Sequence, residues 1–322
     1  MTLAFIALII GFALLTWGAD RFVIGSAAIA RNLGVSPLII GLTIVGFGTS
    51  APEMLVSAMA AWEDNAGLAI GNAIGSNITN IALILGATAL VAPLHVQSTT
   101  LRREMPVLLF TMIVALGLMW DGGLSRWDGG ILLAGLGLML VWLVALGARE
   151  RRDPMQAEYD AEIPSQMPML KALFWFALGL TVLVAGSRVL VWGAVTIAQA
   201  FGVSDLIIGL TIVALGTSLP ELAVSVMSAV KGEHDIAIGN VIGSNMFNLL
   251  GVLGLPGLIA PGMFAPEVLT RDFPMMIGLT IVLIVMAYSF KDRPGRINRF
   301  EGGGLLAAYL GYQAYLYVTS LT

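Results

Sequence analysis

The chain has no cysteine and only two histidines, His95 and His234. Disulfides and thiol chemistry are excluded, and a soft-metal centre has no ligands to build on. Charge is almost as scarce: Asp, Glu, Lys and Arg make up 11% of the 322 residues, against the ~25% usual in soluble domains. No basic stretch interleaved with aromatics is present, so nucleic acid is not an expected partner. Nothing indicates an obligate protein partner, a cofactor or an enzyme active site. Polar linkers are rare too. The one of any length is RERRDPMQAEYDAEIPSQM, residues 149–167, a charged and proline-containing solvated connector.

What fills the chain instead is apolar sequence, 58% of all residues, in continuous runs of about 18–25 residues that suit membrane-crossing helices. The runs do not alternate residue by residue, so helices are expected rather than a barrel. The opening MTLAFIALIIGFALLTWGAD lacks a basic n-region and a small-residue cleavage site, and reads as a first span, not a signal peptide. Ten spans are expected, at 2–30, 38–62, 69–92, 104–120, 127–148, 168–200, 206–231, 235–260, 270–290 and 300–320. Twelve of the sixteen cations fall in or beside the odd-numbered loops and two, Arg126 and Arg271, in the alternate ones. That bias places the odd loops in the cytoplasm and both termini outside.

Shifting residues 38–86 by 168 lays them on 206–254 without a gap, with 28 identities in 49 positions. Gly18 and Gly25 match Gly186 and Gly193 in the same register. Each half, 1–148 and 168–322, holds five spans, so the second enters the membrane from the opposite face. The expected fold is an all-α integral membrane protein of ten helices in two inverted five-helix repeats, an architecture typical of secondary transporters with a midplane site.

The repeated residues are polar where a membrane helix should not be. GTSAPE (48–53) recurs as GTSLPE (216–221). Pro52 and Pro220 lack an N–H and crowd the carbonyl four residues back, so breaks are expected in spans two and seven. The breaks would leave the carbonyls of Gly46, Thr49, Ala214 and Thr217 without helical partners. Glu53 and Glu221 follow; intramembrane carboxylates are costly and usually functional, and inverted symmetry brings both toward one centre. Carboxylate, hydroxyl and carbonyl oxygens together suit a hard cation such as Ca2+. GNAIGSNITN (71–80) and GNVIGSNMFN (239–248) add Asn72, Ser76 and Asn80, and Asn240, Ser244 and Asn248, at helical spacing, read as neutral oxygen ligands. Gly71, Gly75, Gly239 and Gly243 are read as packing glycines. Ser57 and Ser225 line a pathway or bond back to their own helices. Glu104 and Asp272 mark span ends, Asp20 pairs with Arg21, and Glu63, Asp64 and Asp205 sit on solvated outer loops.

These duplicated motifs resemble the alpha-1 and alpha-2 repeats of the Ca2+/cation antiporter superfamily, the sodium/calcium exchangers, in their prokaryotic form. The resemblance implies a Ca2+ site from Glu53 and Glu221 with the Thr49 and Thr217 carbonyls. It implies Na+ sites from Thr49, Ser50 and Ser76, and from Thr217, Ser218 and Ser244, completed by the Gly46 and Ala214 carbonyls. Asn80 and Asn248 would close the centre. Potassium-dependent members are similar but carry Asp at the place of Asn248, which argues against K+ co-transport. Cation/proton members carry Glu where Gly75 and Gly243 stand, which disfavours proton coupling. The implied activity is electrogenic Na+/Ca2+ exchange by alternating access in a prokaryotic inner membrane, with H+/Ca2+ antiport as the alternative.

Overall fold

A computed structural model describes residues 2–34, 37–62, 64, 66–96, 101–150, 167–200, 214–287 and 295–320. The first residues expected for span seven (206–213), most of the 149–167 linker, Glu63 and Asp205 lie outside the described residues.

Among the described residues the apolar runs are helical. Helix α1 spans Thr2–Leu33. A short α2, Pro37–Ile40, leads through a π-helical turn, Gly41–Val45, into α3, Gly46–Trp62. Helix α4, Ala66–Ile78, continues through a second π turn, Thr79–Leu85, into α5, Gly86–Val91. Then come α6, Leu101–Leu118, α7, Arg126–Glu150, and α8, Met169–Ala200. Helices α9, Ala214–Thr217, and α10, Leu219–Val230, precede α11, His234–Phe247, a π turn, Asn248–Val252, and α12, Gly254–Ile259. The π turn Val268–Asp272, then α13, Phe273–Ala287, and α14, Arg299–Ser320, complete the order. Among the described residues seven stretches are long and apolar enough to cross a membrane: 2–33, 41–62, 69–91, 126–146, 169–186, 234–259 and 268–287.

Two small ribbons add to an otherwise α fold. Strand β1, Leu94–Val96, pairs antiparallel with β4, Gly295–Ile297; β2, Gly123–Leu124, pairs with β3, Gly262–Met263. They pin helix-connecting loops, and place His95 in a strand, while His234 opens α11.

The residues form two compact units, each drawing on both sequence halves. Met1–Glu53 joins Gly137–Gly243 in the first, and Met54–Leu136 joins Ser244–Thr322 in the second. In the first unit α1 and α8 run antiparallel at backbone contact. A Cβ on Gly25 would lie 2.5 Å from the Phe176 nitrogen, one on Gly18 2.6 Å from Leu183 N, and one on Gly179 2.4 Å from Phe22 N. Small residues allow this approach where lipid gives no hydrophobic drive for helices to associate. Around the seam Leu15, Phe22, Val23, Ile29 and Leu183 form the buried core, with Val45 and Ile236. In the second unit Gly86 and Gly302 meet the same way: a Cβ on Gly86 would lie 2.9 Å from the Gly302 carbonyl.

The expected break in span two is absent. Helix α3 runs through Pro52 without interruption. Proline costs this helix the bond to the Gly48 carbonyl, but the bonds on either side hold the rod. The irregularity sits upstream, at the 41–45 π turn, where the Gly46 N–H reaches the Gly41 carbonyl five residues back. In span seven the break is real. Ser218, at φ −89° and ψ 4°, separates α9 from α10, and Pro220 occupies the first turn of α10, where its missing N–H has no helical acceptor to lose.

Candidate functional site

Glu53 and Glu221 are the centre of the polar cluster in the first unit. Both are 1% exposed, with Thr49, Ser50, Ser218 and Asn240 buried around them and Thr217 half-buried. The hydroxyls cross between repeats. Ser50 Oγ donates to Glu221 Oε1 at 3.3 Å, and Thr49 lies against the same carboxylate. Reciprocally, Thr217 and Ser218 lie against the carboxylate of Glu53. Each GTS triplet therefore serves the glutamate of the other repeat, and the two carboxylates are close enough to repel one another.

Asn240 ties the cluster together. Thr49 Oγ1 lies 3.0 Å from its Oδ1, while its Nδ2 donates to Ser225 Oγ at 3.0 Å and to the Glu221 carbonyl at 3.3 Å. A stripe reading made Asn240 one oxygen ligand among several; here its carbonyl oxygen is engaged by Thr49 and it works as a brace. Asn240→Leu is expected to lower the detergent-solubilised thermal stability by about 1–2 kcal/mol, the range for interhelical polar contacts in membranes. An unchanged unfolding midpoint would remove the bracing role. The Gly46 carbonyl, expected to lack a partner, lies 3.4 Å from the Thr49 hydroxyl. Ala214 opens α9, the helical turn that ends at Ser218.

The second unit gathers the GSN segments. Ser76, Asn77, Asn80, Ser244, Asn245 and Asn248 are all buried. Asn80 Nδ2 donates to Asn245 Oδ1 at 3.0 Å, joining the repeats, and Asn77 Nδ2 donates to the Ala73 carbonyl at 2.8 Å. The side-chain oxygens of Asn77, Asn80 and Asn248 are buried with no hydrogen-bond partner among the described residues. Oε2 of Glu221 in the first unit is likewise without one. Unsatisfied oxygens of this kind are costly in a dry interior, and a set rich in them suits a hard cation. Asn77 and Asn245 were missed as site residues, although IGSN recurs intact in both repeats and carried the signal. Among the described residues no three of His, Cys, Asp and Glu come together, so the carboxylate count at the centre stays at two.

Other residues take plainer places. Ser57 Oγ bonds the Ala69 carbonyl at 2.9 Å, off its own helix, and Ser225 Oγ accepts from Asn240. Glu104 sits in the first turn of α6 as expected of a span end, yet is fully buried. Asp272 accepts from Arg271 and from the Tyr312 hydroxyl. Arg21 sits 3.6 Å from Asp20, its guanidinium over Trp17 and Trp175 at 5.6 and 4.8 Å. Of the packing glycines, Gly243 is pressed against the Leu42 backbone, whereas Gly71 and Gly75 have open space.

The model of the family described as "Sodium/calcium exchanger protein" matches residues 3–145 and 171–318. The inner membrane protein YrbG of Escherichia coli is 42% identical over 299 residues, 92% of each chain. The sodium/calcium exchanger MaX1 of Methanosarcina acetivorans is 31% identical, covering 98% of this chain and 99% of its own. A solved structure of the sodium-calcium exchanger NCX_Mj superposes with a TM-score of 0.84 at 35% identity, over 98% of this chain and 99% of that one.

Proposed function

Because the chain belongs to the sodium/calcium exchanger protein family, we propose that it is a secondary antiporter exchanging Na+ for Ca2+ by alternating access, K+-independent and electrogenic. The observation that carries this reading is the reciprocal cluster of Glu53 and Glu221, each buried against the hydroxyls of the other repeat. Two buried carboxylates, with no third beside them among the described residues, balance one Ca2+. Uncompensated, they would cost several kcal/mol each, so the cluster calls for cations.

In this reading Glu53 and Glu221 take Ca2+ together with oxygens of Thr49 and Thr217. Ser50, Ser76, Ser218 and Ser244, with the carbonyls of Gly46 and Ala214, serve Na+. Asn80 and Asn248 supply further neutral oxygens, and Asn77 joins them on the strength of its unpartnered carbonyl. The ten spans form two inverted five-helix repeats, with odd-numbered loops cytoplasmic and both termini outside. The cation bias supports that orientation, and the inner-membrane relative supports a prokaryotic cell membrane. Several Na+ entering for one Ca2+ move net charge inward. Each net charge is worth ~2.3 kcal/mol per 100 mV, which drives Ca2+ out of a cell with a negative interior.

The test is 45Ca2+ flux in proteoliposomes under Na+, K+ or H+ gradients imposed one at a time. A Na+ gradient alone is expected to drive uptake, K+ is expected to add nothing, and a valinomycin-set potential is expected to change the rate. Uptake driven by H+ without Na+ would instead establish the H+/Ca2+ alternative.

A further inference from the structure

At the Arg31 end of α1 the first unit holds a cavity of about 370 Å³, lined by Val23, Ala27, Arg31, Lys171, Lys231 and Glu233 among others. Three cations line it, yet two are already committed. Arg31 Nη2 lies 2.9 Å from Glu233 Oε1, and Lys231 Nζ lies 2.7 Å from Asp20 Oδ1. So the cavity is no ready anion site. The Arg31–Glu233 pair lies in its wall and the Lys231–Asp20 pair reaches out of it, both running from α1 to the turn between α10 and α11. We propose that these pairs form a latch that holds this end of α1 to the α10–α11 turn and opens once in each transport cycle, making Asp20 and Lys231 gating residues.

Three observations converge on it. The first is the architecture: beside the apolar core that packs α1 against Val224 and Ile236, two charge pairs join α1 to the α10–α11 turn next to an open cavity, and charges can part into water. The second comes from the 168-residue register of the sequence. The counterparts of Asp20 and Lys231 are Arg188 and Glu63, so both signs reverse together; those of Arg31 and Glu233 are Gln199 and Asn65, so both charges vanish together. Joint reversal and joint loss are what a pairing constraint produces, and independent surface charges have no reason to change in step. The third is strength. The pair side chains are 22–52% exposed, and exposed pairs are weak enough to break on each cycle.

The inference rests on the antiport reading, so its effect is scored on whichever gradient drives Ca2+ in the wild type; loss of sodium coupling would overturn that reading and leave this one standing. The cysteine-free chain permits Asp20→Cys/Lys231→Cys bridged by a short bis-thiol-reactive reagent. Cross-linking is expected to reduce Ca2+ flux to background and reduction to restore it. A cross-linked protein that exchanges at its uncrosslinked rate overturns the latch. Separately, Lys231→Met and Asp20→Asn are each expected to shift apparent Ca2+ affinity at this face by about two- to fivefold, the weight of an exposed pair. The charge swap Asp20→Lys/Lys231→Asp is expected to return it toward wild type, and a swap no better than the single variants also overturns the proposal. Arg21 remains beside Asp20 when Lys231 is removed, which keeps Asp20 compensated in that variant.

Discussion

Glu221→Gln is expected to abolish Ca2+ exchange while leaving a folded protein, and Glu53→Gln to do the same. The amide keeps the shape of the carboxylate, so packing around a fully buried position survives. What changes is charge. A divalent ion held by two carboxylates would be held by one, and removing one partner from a buried ionic pairing costs about 3–5 kcal/mol. That range corresponds to roughly two to four orders of magnitude in affinity. The same substitution relieves the repulsion between the glutamates, so without ions the variant should melt no lower than the wild type. Two measurements separate these effects. Proteoliposome flux should fall to background, and the rise in melting temperature on adding Ca2+, which follows from binding the folded state, should disappear. A Glu221→Gln protein that exchanges at the wild-type rate would remove the carboxylate pair from the mechanism.

The second large effect separates two glycines that occupy the same place in the repeats. Gly243→Ala sets a Cβ 2.5 Å from the Leu42 carbonyl oxygen and 2.8 Å from its Cα. Both are backbone atoms, so no side chain can swing away. Overpacking of this kind costs about 1–3 kcal/mol or more, and the displaced residues adjoin Asn240 and Ser244. Gly75→Ala meets nothing within 4 Å among the described residues and should stay within about 0.5 kcal/mol of wild type. Detergent melting and flux of the two variants side by side test the contrast; equal behaviour would show that the close approach at Gly243 carries no weight. The asymmetry also sharpens the subtype argument. A glutamate at 243 is blocked by the Leu42 backbone before its charge matters, whereas at 75 the space exists.

Much of the candidate site was legible because the same residues occur twice. The 168-residue register singled out Glu53, Glu221 and both GTS triplets, and all of these sit at or beside the buried cluster. A single copy of GTSAPE would already have marked a functional carboxylate; the second copy supplies its partner. The errors have physical sources. Pro52 was expected to break its helix, but one lost bond is a local cost, and α3 absorbs it; at Pro220 the same residue type coincides with a true break. Asn77 and Asn245 were overlooked because helical spacing was applied from Asn72 and Asn240, and that period skips them. The π turns at 79–85 and 248–252 change the facing of the residues beyond. Strands of two or three residues have no room for alternation, so the ribbons were invisible. The mixing of both halves in each compact unit was equally hidden, since contacts between repeats leave no periodic trace.

Those π turns have a mechanical consequence. They begin at or within one residue of Asn80 and Asn248, the same register of the two repeats, and the Leu253 N–H bonds the Asn248 carbonyl at 2.8 Å across one of them. A π turn holds one residue more than the α turn it replaces. Each residue of an α-helix advances the azimuth by about 100°, so closing or migrating the extra residue swivels everything between its old and new positions by that amount. The rod neither bends nor melts as this happens. A helix of this kind acts as a spindle: the side chains between the two positions can be re-aimed by rotation alone.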